Sequence, residues 1–208
     1  MSTRKLCIGL GLLAAFAAWT AAVCTVDVQA FGPGDSVVGF AAMNRWLHSQ
    51  IGVHWTLYTI TDWLGLVPLA VVAGFGLLGL WQWISRKSLQ KVDRSILVLG
   101  GFYVAVLAVF LLFEKVAVNY RPVLIDGVLE ASYPSSTTML TLCVMPTAAL
   151  QLHGRGAGRW FIAAIWAFTS FMVVGRLISG VHWFSDIIGG MLLSAGLVML
   201  YAALTDRM

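Results

Sequence analysis

The amino-acid sequence predicts an all-α integral membrane protein, folded as a bundle of six transmembrane helices. The first observation is composition, since 60% of the 208 residues are hydrophobic and only 11% are charged. The second is a mean hydropathy of +0.88, which implies more apolar surface than a soluble domain of this length needs. The third is that the apolar residues occur in runs of about 20, the length that crosses a bilayer as a helix.

Six apolar runs are long enough to be transmembrane helices, and polar segments separate them. They are Leu6–Val26, Leu57–Ile84, Ser95–Phe113, Thr137–Leu152, Trp160–Ile178 and Phe184–Leu204. The fourth run is short and is interrupted by Pro146. Because the sequence contains no internal repeat and no soluble segment, we expect one membrane-embedded domain over residues 1–208.

The first run follows a short basic segment, and its length argues for a retained helix rather than a signal peptide. Val-Gln-Ala at 28–30 loosely resembles a cleavage site, but the run exceeds the usual signal core of about 7–15 apolar residues. After a Gly-Pro-Gly-Asp turn, apolar side chains recur at helical spacing between Val37 and Ile51. This spacing predicts a short helix in the membrane interface, and we interpret His48 and His54 as interfacial residues.

The basic residues are distributed unevenly between the two faces of a six-span topology. The face that carries both termini holds nine of the 13, namely Arg4, Lys5, Arg86, Lys87, Lys91, Arg94, Arg155, Arg159 and Arg207. By the positive-inside rule this face is cytoplasmic, so in a bacterium the protein belongs in the cytoplasmic membrane. The outer face holds Arg45, Lys115, Arg121 and Arg176; Lys115 and Arg121 follow the third span, and Arg176 lies at the end of the fifth.

The stretch at 175–186, GRLISGVHWFSD, brings a guanidinium, an imidazole and a carboxylate together in an apolar sequence. If a helix begins near Val181, His182 and Asp186 stand four positions apart on one face. Asp186 then accepts the Nδ1–H of the imidazole, which leaves Nε2 free as a nucleophile or base. Arg176, across a predicted helix break, offers a fork of donors to phosphate oxygens. The alternative is a polar helix end that caps backbone groups at the membrane surface.

Three polar segments, in this order on six spans, resemble the type 2 phosphatidic acid phosphatase family of integral membrane lipid phosphatases. The family's motifs are a Lys, six residues and Arg-Pro; then Pro-Ser-Gly-His; then Ser-Arg, five residues, His, three residues and Asp. The third appears here with its spacing intact, as Gly175-Arg176, His182 and Asp186. The second appears as Pro134-Ser135-Ser136-Thr137, and the first as Arg121-Pro122 with five residues, rather than six, between Lys115 and the Arg. The resemblance covers nearly the whole chain.

The resemblance implies hydrolysis of a lipid phosphate or diphosphate, with undecaprenyl diphosphate as the substrate expected in a bacterium. His182 would form a phosphohistidine, with Asp186 orienting the ring and stabilising the imidazolium. The phosphate would be bound by Lys115, Arg121, Arg176 and the helix start that carries Ser135 and Ser136. No metal, cofactor, nucleic acid or obligatory protein partner is implied; the partners are the lipid substrate and membrane lipids.

Thr137 departs from the family pattern, because it replaces the histidine that protonates the leaving oxygen. General acid catalysis is typically worth about 10²–10⁴ in rate. A diphosphate expels a phosphate monoester, which needs less protonation than an alkoxide, so Thr137 is expected to favour polyprenyl diphosphates over phosphatidic acid. Whether Thr137 is a natural or an engineered replacement is open from the sequence.

The shifted lysine is a second departure. With six intervening residues before Arg121, the position of the family's lysine falls on Glu114, and Lys115 is the next residue. A shift of one residue rotates a helical side chain by about 100°. Either Lys115 still reaches the phosphate or Glu114 takes its place, where a carboxylic acid could serve as the missing proton donor.

Three other functions are compatible with the sequence. A phosphotransferase would pass the phosphate to an acceptor other than water. A catalytically dead lipid-binding protein would explain Thr137, but not the retained set of polar side chains at a membrane boundary. A small transporter would need polar residues or broken helices in mid-membrane, for which Asp62 and Pro146 are the candidates.

Overall fold

The structure is a computed structural model that describes residues 2–205, so Arg207, counted above, lies outside the described residues. The described chain is mainly helical, which confirms the predicted all-α membrane bundle. Its helices are α1 (Thr3–Thr25), α2 (Ala41–Ile51), α3 (Trp55–Leu64), α4 (Leu66–Arg86), α5 (Arg94–Lys115), α6 (Ser136–Gly154), α7 (Arg159–Ile178) and α8 (Phe184–Thr205). Two short antiparallel strands, β1 (Gln29–Ala30) and β2 (Val37–Val38), lie between α1 and α2, and single 3₁₀ turns lie at Pro33–Asp35 and Leu89–Lys91.

Within residues 2–205, five helical segments are long and apolar enough to cross a membrane: α1, α3 together with α4, α5, α7 and α8. The fourth predicted span is α6, a helix of 19 residues whose Thr, Gln and His side chains lower its hydropathy. It packs against α4, α5, α7 and α8, and most of its residues are buried. A helix that is enclosed by other helices has little contact with lipid, so it tolerates polar side chains.

Two of the predicted spans are interrupted differently from what the sequence predicts. The second predicted span consists of α3 and α4, which meet at Gly65. The amide of Gly65 donates to the carbonyl oxygens of Thr61 and Asp62, each at 3.0 Å, and a Cβ there would lie 2.9 Å from the Asp62 oxygen. The interruption predicted at Pro146 is absent, because α6 continues through that residue.

The helices α1 and α8 pack antiparallel over most of their length. Near one end, Trp19 Nε1 donates to the Ser185 carbonyl oxygen at 3.0 Å. Further along, a Cβ on Gly9 would lie 2.8 Å from Cδ2 of Leu200 and 3.1 Å from the Gly196 carbonyl oxygen. Glycine therefore allows the two helix backbones to approach closely, and α1 is an integral part of the bundle.

The polar segments gather at one end of the bundle, where α3, α6 and α8 begin and α5 and α7 end. The predicted interfacial helix is α2, which is fixed to α8 by Asn44: Nδ2 of Asn44 donates to Ser185 Oγ at 2.9 Å, and Oδ1 accepts the Ser185 amide at 3.2 Å. At the opposite end, Asp93 accepts hydrogen bonds from Gln82 and Arg86, both at 2.8 Å. These bonds tie the end of α4 to the start of α5.

Candidate active site

His182 lies in the turn between α7 and α8 rather than in a helix. We expected a helix to begin near Val181, but α8 begins only after His182, so the helical relationship predicted between His182 and Asp186 is wrong. The backbone of this turn requires glycine at position 180. Gly180 has a φ of 70°, and a Cβ there would lie 1.9 Å from the Gly52 carbonyl oxygen. Only glycine fits such a position.

Asp186 is buried beneath this turn and is not hydrogen-bonded to His182. Its Oδ2 lies 3.9 Å from Nδ1 of His182, which is too far for the hydrogen bond that the sequence predicted. Oδ2 instead accepts the amide of Trp183 at 3.0 Å, and Oδ1 accepts Nδ2 of Asn119 at 3.0 Å. The bond to Trp183 caps the start of α8 and holds the carboxylate away from the ring. At this separation Asp186 can still stabilise an imidazolium through its charge.

The Nε2 atom of His182 accepts a hydrogen bond from Arg121. Nη1 of Arg121 lies 3.2 Å from Nε2, and a guanidinium can only donate, so Nε2 carries no proton. Burial, followed by the charges of Arg121 and Arg176, lowers the pKa of His182 well below its ordinary value. The imidazole is therefore neutral at neutral pH, with an unprotonated nitrogen beside a cation.

Arg121 is positioned by the loop between α5 and α6. Its amide donates to the Glu130 carbonyl oxygen at 3.0 Å, and its Nε lies 2.9 Å from Oε2 of Glu130. Nε1 of Trp183 donates to the Tyr120 carbonyl oxygen at 2.7 Å. This last bond joins the loop to the turn that carries His182, and so brings the first-motif Arg and the third-motif His together.

Arg176 is buried at the end of α7 and reaches the start of α6. Its Nη2 donates to Oγ1 of Thr137 at 2.6 Å and to Oδ1 of Asp62 at 2.9 Å. The guanidinium carbon also lies 5.0 Å from the centre of the Tyr58 ring, within range of a cation–π contact. Within the described residues, Nε and Nη1 of Arg176 have no hydrogen-bond partner. Two buried donors are thus free for an anion.

The start of α6 adds backbone donors beside Arg176. We expected the amides of Ser135, Ser136 and Thr137 to be free, and this is wrong for Ser135, whose amide donates to the Asp186 carbonyl oxygen at 3.2 Å. Ser135 is the N-cap, so the amides of Ser136 and Thr137 have no acceptor inside the helix. Together with the positive end of the helix dipole they favour an anion at this point.

The end of α5 distinguishes Glu114 from Lys115. Glu114 lines a small cavity with Ser132, Tyr133 and Ser136, next to the second-motif segment. Both residues are exposed, but Lys115, the last residue of α5, does not line this cavity. The structure therefore turns Glu114 toward the start of α6, and a phosphate contact by Lys115 stays a prediction.

Sequence reasoning did not assign three residues that the structure brings into the cluster: Asp62, Tyr58 and Asn119. Asp62 did carry a signal, because an acidic residue inside an apolar span is costly unless it has a partner or a function. Its partner could not be read from the sequence, since Arg176 lies 114 positions away. Tyr58 and Asn119 carried no distinguishing signal.

Comparison with known proteins identifies a family for part of the chain. Residues 116–207 match the PAP2 superfamily, a segment that contains Arg121, Thr137, Arg176, His182 and Asp186. Residues 116–207 therefore belong to the PAP2 superfamily. The family recognised from the motifs is thereby confirmed for this part of the chain. No curated protein matches the chain significantly.

A solved structure resembles this chain beyond the matched segment. The fold is similar to the crystal structure described as the first transmembrane PAP2 type phosphatidylglycerolphosphate phosphatase from Bacillus subtilis, with a TM-score of 0.62. The match covers 96% of each chain at 16% sequence identity. At this identity the comparison establishes a shared fold, and it includes α1 and the α3–α4 span, which lie outside the matched segment.

A large apolar groove leads away from the end of the bundle that carries the candidate site. It has a volume of about 1080 Å³ and lies between α4 and α5, over α6. Its polar end is formed by Asp62, Ser136 and Thr137, and it extends as far as Trp83 and Leu89 at the other end of the bundle. A groove of this shape can hold an apolar chain whose polar end lies beside Arg176.

Proposed function

We propose that this protein is an integral membrane lipid phosphatase in which His182 is the nucleophile. The observation that carries the proposal is the bond from Arg121 to the unprotonated Nε2 of His182, 3.2 Å long, because attack on phosphorus needs an unprotonated nitrogen beside a cation that can bind phosphate. The apolar groove supports a lipid substrate, since its polar end includes Asp62 and Thr137, which are both bonded to Arg176.

In the first step, Nε2 of His182 attacks phosphorus and the bond from phosphorus to the lipid oxygen breaks, which forms a phosphohistidine. Arg121, the free donors of Arg176 and the amides at the start of α6 bind the non-bridging oxygens, where charge increases in the transition state. Asp186 stabilises the positive charge on the ring. In the second step, water attacks the phosphohistidine and releases inorganic phosphate.

The protein's own donors supply the charge stabilisation that this reaction needs. Within the described residues no group of three or more His, Cys, Asp or Glu side chains could hold a metal ion. We therefore propose that hydrolysis does not depend on added metal.

The preferred substrate is a lipid diphosphate. A hydroxyl such as that of Thr137 is a poor proton donor at neutral pH, so a leaving group that needs little protonation reacts faster. A polyprenyl diphosphate, such as undecaprenyl diphosphate in a bacterium, has such a leaving group. Phosphatidylglycerophosphate is the second lipid to test, because the structurally similar protein is named as a phosphatidylglycerolphosphate phosphatase.

The site lies at the end of the bundle opposite to the basic segments around Arg86 and Arg155. The positive-inside rule puts those segments in the cytoplasm. We therefore propose that the active site faces outward and that both termini are cytoplasmic.

The test is release of inorganic phosphate by detergent-purified protein in the presence of a metal chelator. The substrates are a polyprenyl diphosphate, phosphatidic acid and phosphatidylglycerophosphate, and a His182→Ala variant with the same thermal unfolding profile is the control. We expect release that is fastest on the diphosphate and absent in the variant. Release that persists in His182→Ala, or no release from any of the three lipids by the unaltered protein, would overturn the proposal.

A further inference from the structure

Departure of a lipid alkoxide requires a proton, and the usual donor of the second motif is replaced by Thr137. The proton donor must lie where the leaving oxygen emerges, which is the junction between the phosphate-binding cluster and the apolar groove. Two side chains at the polar end of the groove, Asp62 and Thr137, are bonded to the same Nη2 of Arg176. Of these two, only Asp62 carries an acidic group.

The exposure of Asp62 suits a group that contacts a substrate. The side chain of Asp62 is 57% exposed, whereas that of Arg176 is only 2% exposed. The carboxyl therefore has one side against the buried guanidinium and the other toward the groove. A carboxylate that served only to neutralise Arg176 would not need to face this space.

We propose that Asp62 is the proton donor to the leaving oxygen, an inference that rests on the proposed phosphatase activity. In the first step, the phosphorus–oxygen bond to the lipid breaks and Asp62 gives its proton to that oxygen, so that the product leaves as a neutral alcohol. In the second step, the resulting carboxylate takes a proton from the water that attacks the phosphohistidine. Asp62 is then protonated again, His182 is restored and inorganic phosphate is released.

Arg176 can hold the phosphate and Asp62 at the same time. Its Nε and Nη1 have no partner within the described residues, so phosphate oxygens can bind there while Nη2 stays bonded to Asp62 and Thr137. A phosphate bound on Arg176 therefore lies beside the carboxyl group of Asp62, within reach of a proton transfer to the leaving oxygen.

Glu114 is the competing acid. It lines a separate small cavity with Ser132 and Ser136, and it does not line the groove. The lipid oxygen leaves toward the groove, where the apolar chain lies, so Asp62 is better placed than Glu114.

The experiment compares Asp62→Asn with the unaltered protein on two phosphate esters. Phosphatidic acid expels an alkoxide, whereas para-nitrophenyl phosphate expels a phenolate that needs little protonation. We expect a loss of about 10²-fold or more in kcat on phosphatidic acid, but of less than about tenfold on the aryl ester. Adding Thr137→His to Asp62→Asn supplies an imidazole at the second-motif position, and we expect it to restore at least part of the rate on phosphatidic acid.

Two controls separate proton donation from a structural role. Tyr58→Leu removes the ring contact to Arg176 but leaves the carboxyl, so we expect both esters to lose rate by the same factor. Glu114→Gln should not change the ratio of the two rates. If Asp62→Asn does not fold, Asp62→Ser provides the same comparison, because a hydroxyl still accepts from Arg176 but has no acidic proton.

The outcomes distinguish this proposal from the one on which it rests. Equal losses on both esters in Asp62→Asn, or a loss confined to phosphatidic acid in Glu114→Gln, would overturn the role of Asp62 alone. An unaltered protein that hydrolyses neither these esters nor a lipid diphosphate would overturn the phosphatase activity itself.

Discussion

Nη1 of Arg121 donates a hydrogen bond to Nε2 of His182 across 3.2 Å. The bond keeps the proton off Nε2, and the guanidinium that makes it lies where a phosphate must sit for Nε2 to attack. An incoming phosphate can therefore replace the imidazole as the acceptor for Arg121. In the proposed mechanism, this contact keeps the attacking nitrogen unprotonated and lies at the position of the bound phosphate.

The pH dependence of activity should reflect this contact. Because burial and the two arginines lower the pKa of His182 below its ordinary value of 6.5, the imidazole becomes protonated only when the pH falls well below that value. We expect kcat/KM to persist below pH 6.5 in the unaltered protein. Replacing Arg121 by Gln removes one cation, so the acid limb should move to higher pH. The measurement is the kcat/KM profile of both proteins on one substrate.

Because ionisation of the substrate is the same in both profiles, a difference between them belongs to the protein. An acid limb at the same pH in both proteins, or one that moves to lower pH in Arg121→Gln, would contradict the assigned role of Arg121.

Filling the groove should reduce turnover of long lipids only. Gly76 and Gly100 line the groove, and a Cβ on either would have nothing within 4 Å. Gly76 lies about 15 Å along α4 from Leu66, at 1.5 Å per residue, which is beyond the reach of a butyryl chain. We expect Gly76→Leu and Gly100→Leu to raise KM for long-chain phosphatidic acid about tenfold, and to leave dibutyryl phosphatidic acid unaffected.

Gly74→Leu is the matched control for the groove. Gly74 is on the same helix and equally open, but it does not line the groove. A similar rise in KM in all three variants would show that the effect comes from the added leucine rather than from the groove.

The close packing of α1 on α8 gives a prediction for stability. A Cβ on Gly9 would meet Leu200 at 2.8 Å, whereas a Cβ on Gly11 would meet nothing within 4 Å. We expect Gly9→Ala to lower the free energy of unfolding by about 1–3 kcal/mol through overpacking. Gly11→Ala on the same helix should have no such effect. Thermal unfolding in detergent measures both, and equal Tm values would refute the close approach.

Asn119 should support both stability and activity through its hydrogen bond to Asp186. Its Nδ2 is bonded to Oδ1 of Asp186, and its Oδ1 accepts the Gly39 amide at 3.3 Å. Replacing Asn119 by Leu leaves a buried carboxylate oxygen without this donor, which typically costs about 1–3 kcal/mol. We expect a lower Tm together with a lower kcat. An unchanged kcat in a destabilised variant would limit Asn119 to a structural role.

Much of the fold could be predicted from the sequence. Charged residues such as Arg94 and Lys115 bound the apolar runs, so the helices begin and end close to the predicted positions. The third motif located Arg176, His182 and Asp186 because its spacing is intact. Two features depended on tertiary packing instead: Asp186 caps α8 through Trp183 rather than binding the imidazole, and Asp62 meets Arg176 only because α3 packs on α7. The groove likewise arises from the way α4 and α5 lie over α6.

The most direct test of the central claim is to trap the phosphohistidine. Purified protein is mixed with a lipid diphosphate or phosphatidic acid that carries radiolabelled phosphate, quenched in alkali within the first turnover and digested for peptide mapping. We expect the label on the peptide that contains His182, and neither label nor phosphate release in a folded His182→Asn variant. Label on a different residue, or turnover that continues in His182→Asn, would contradict the account.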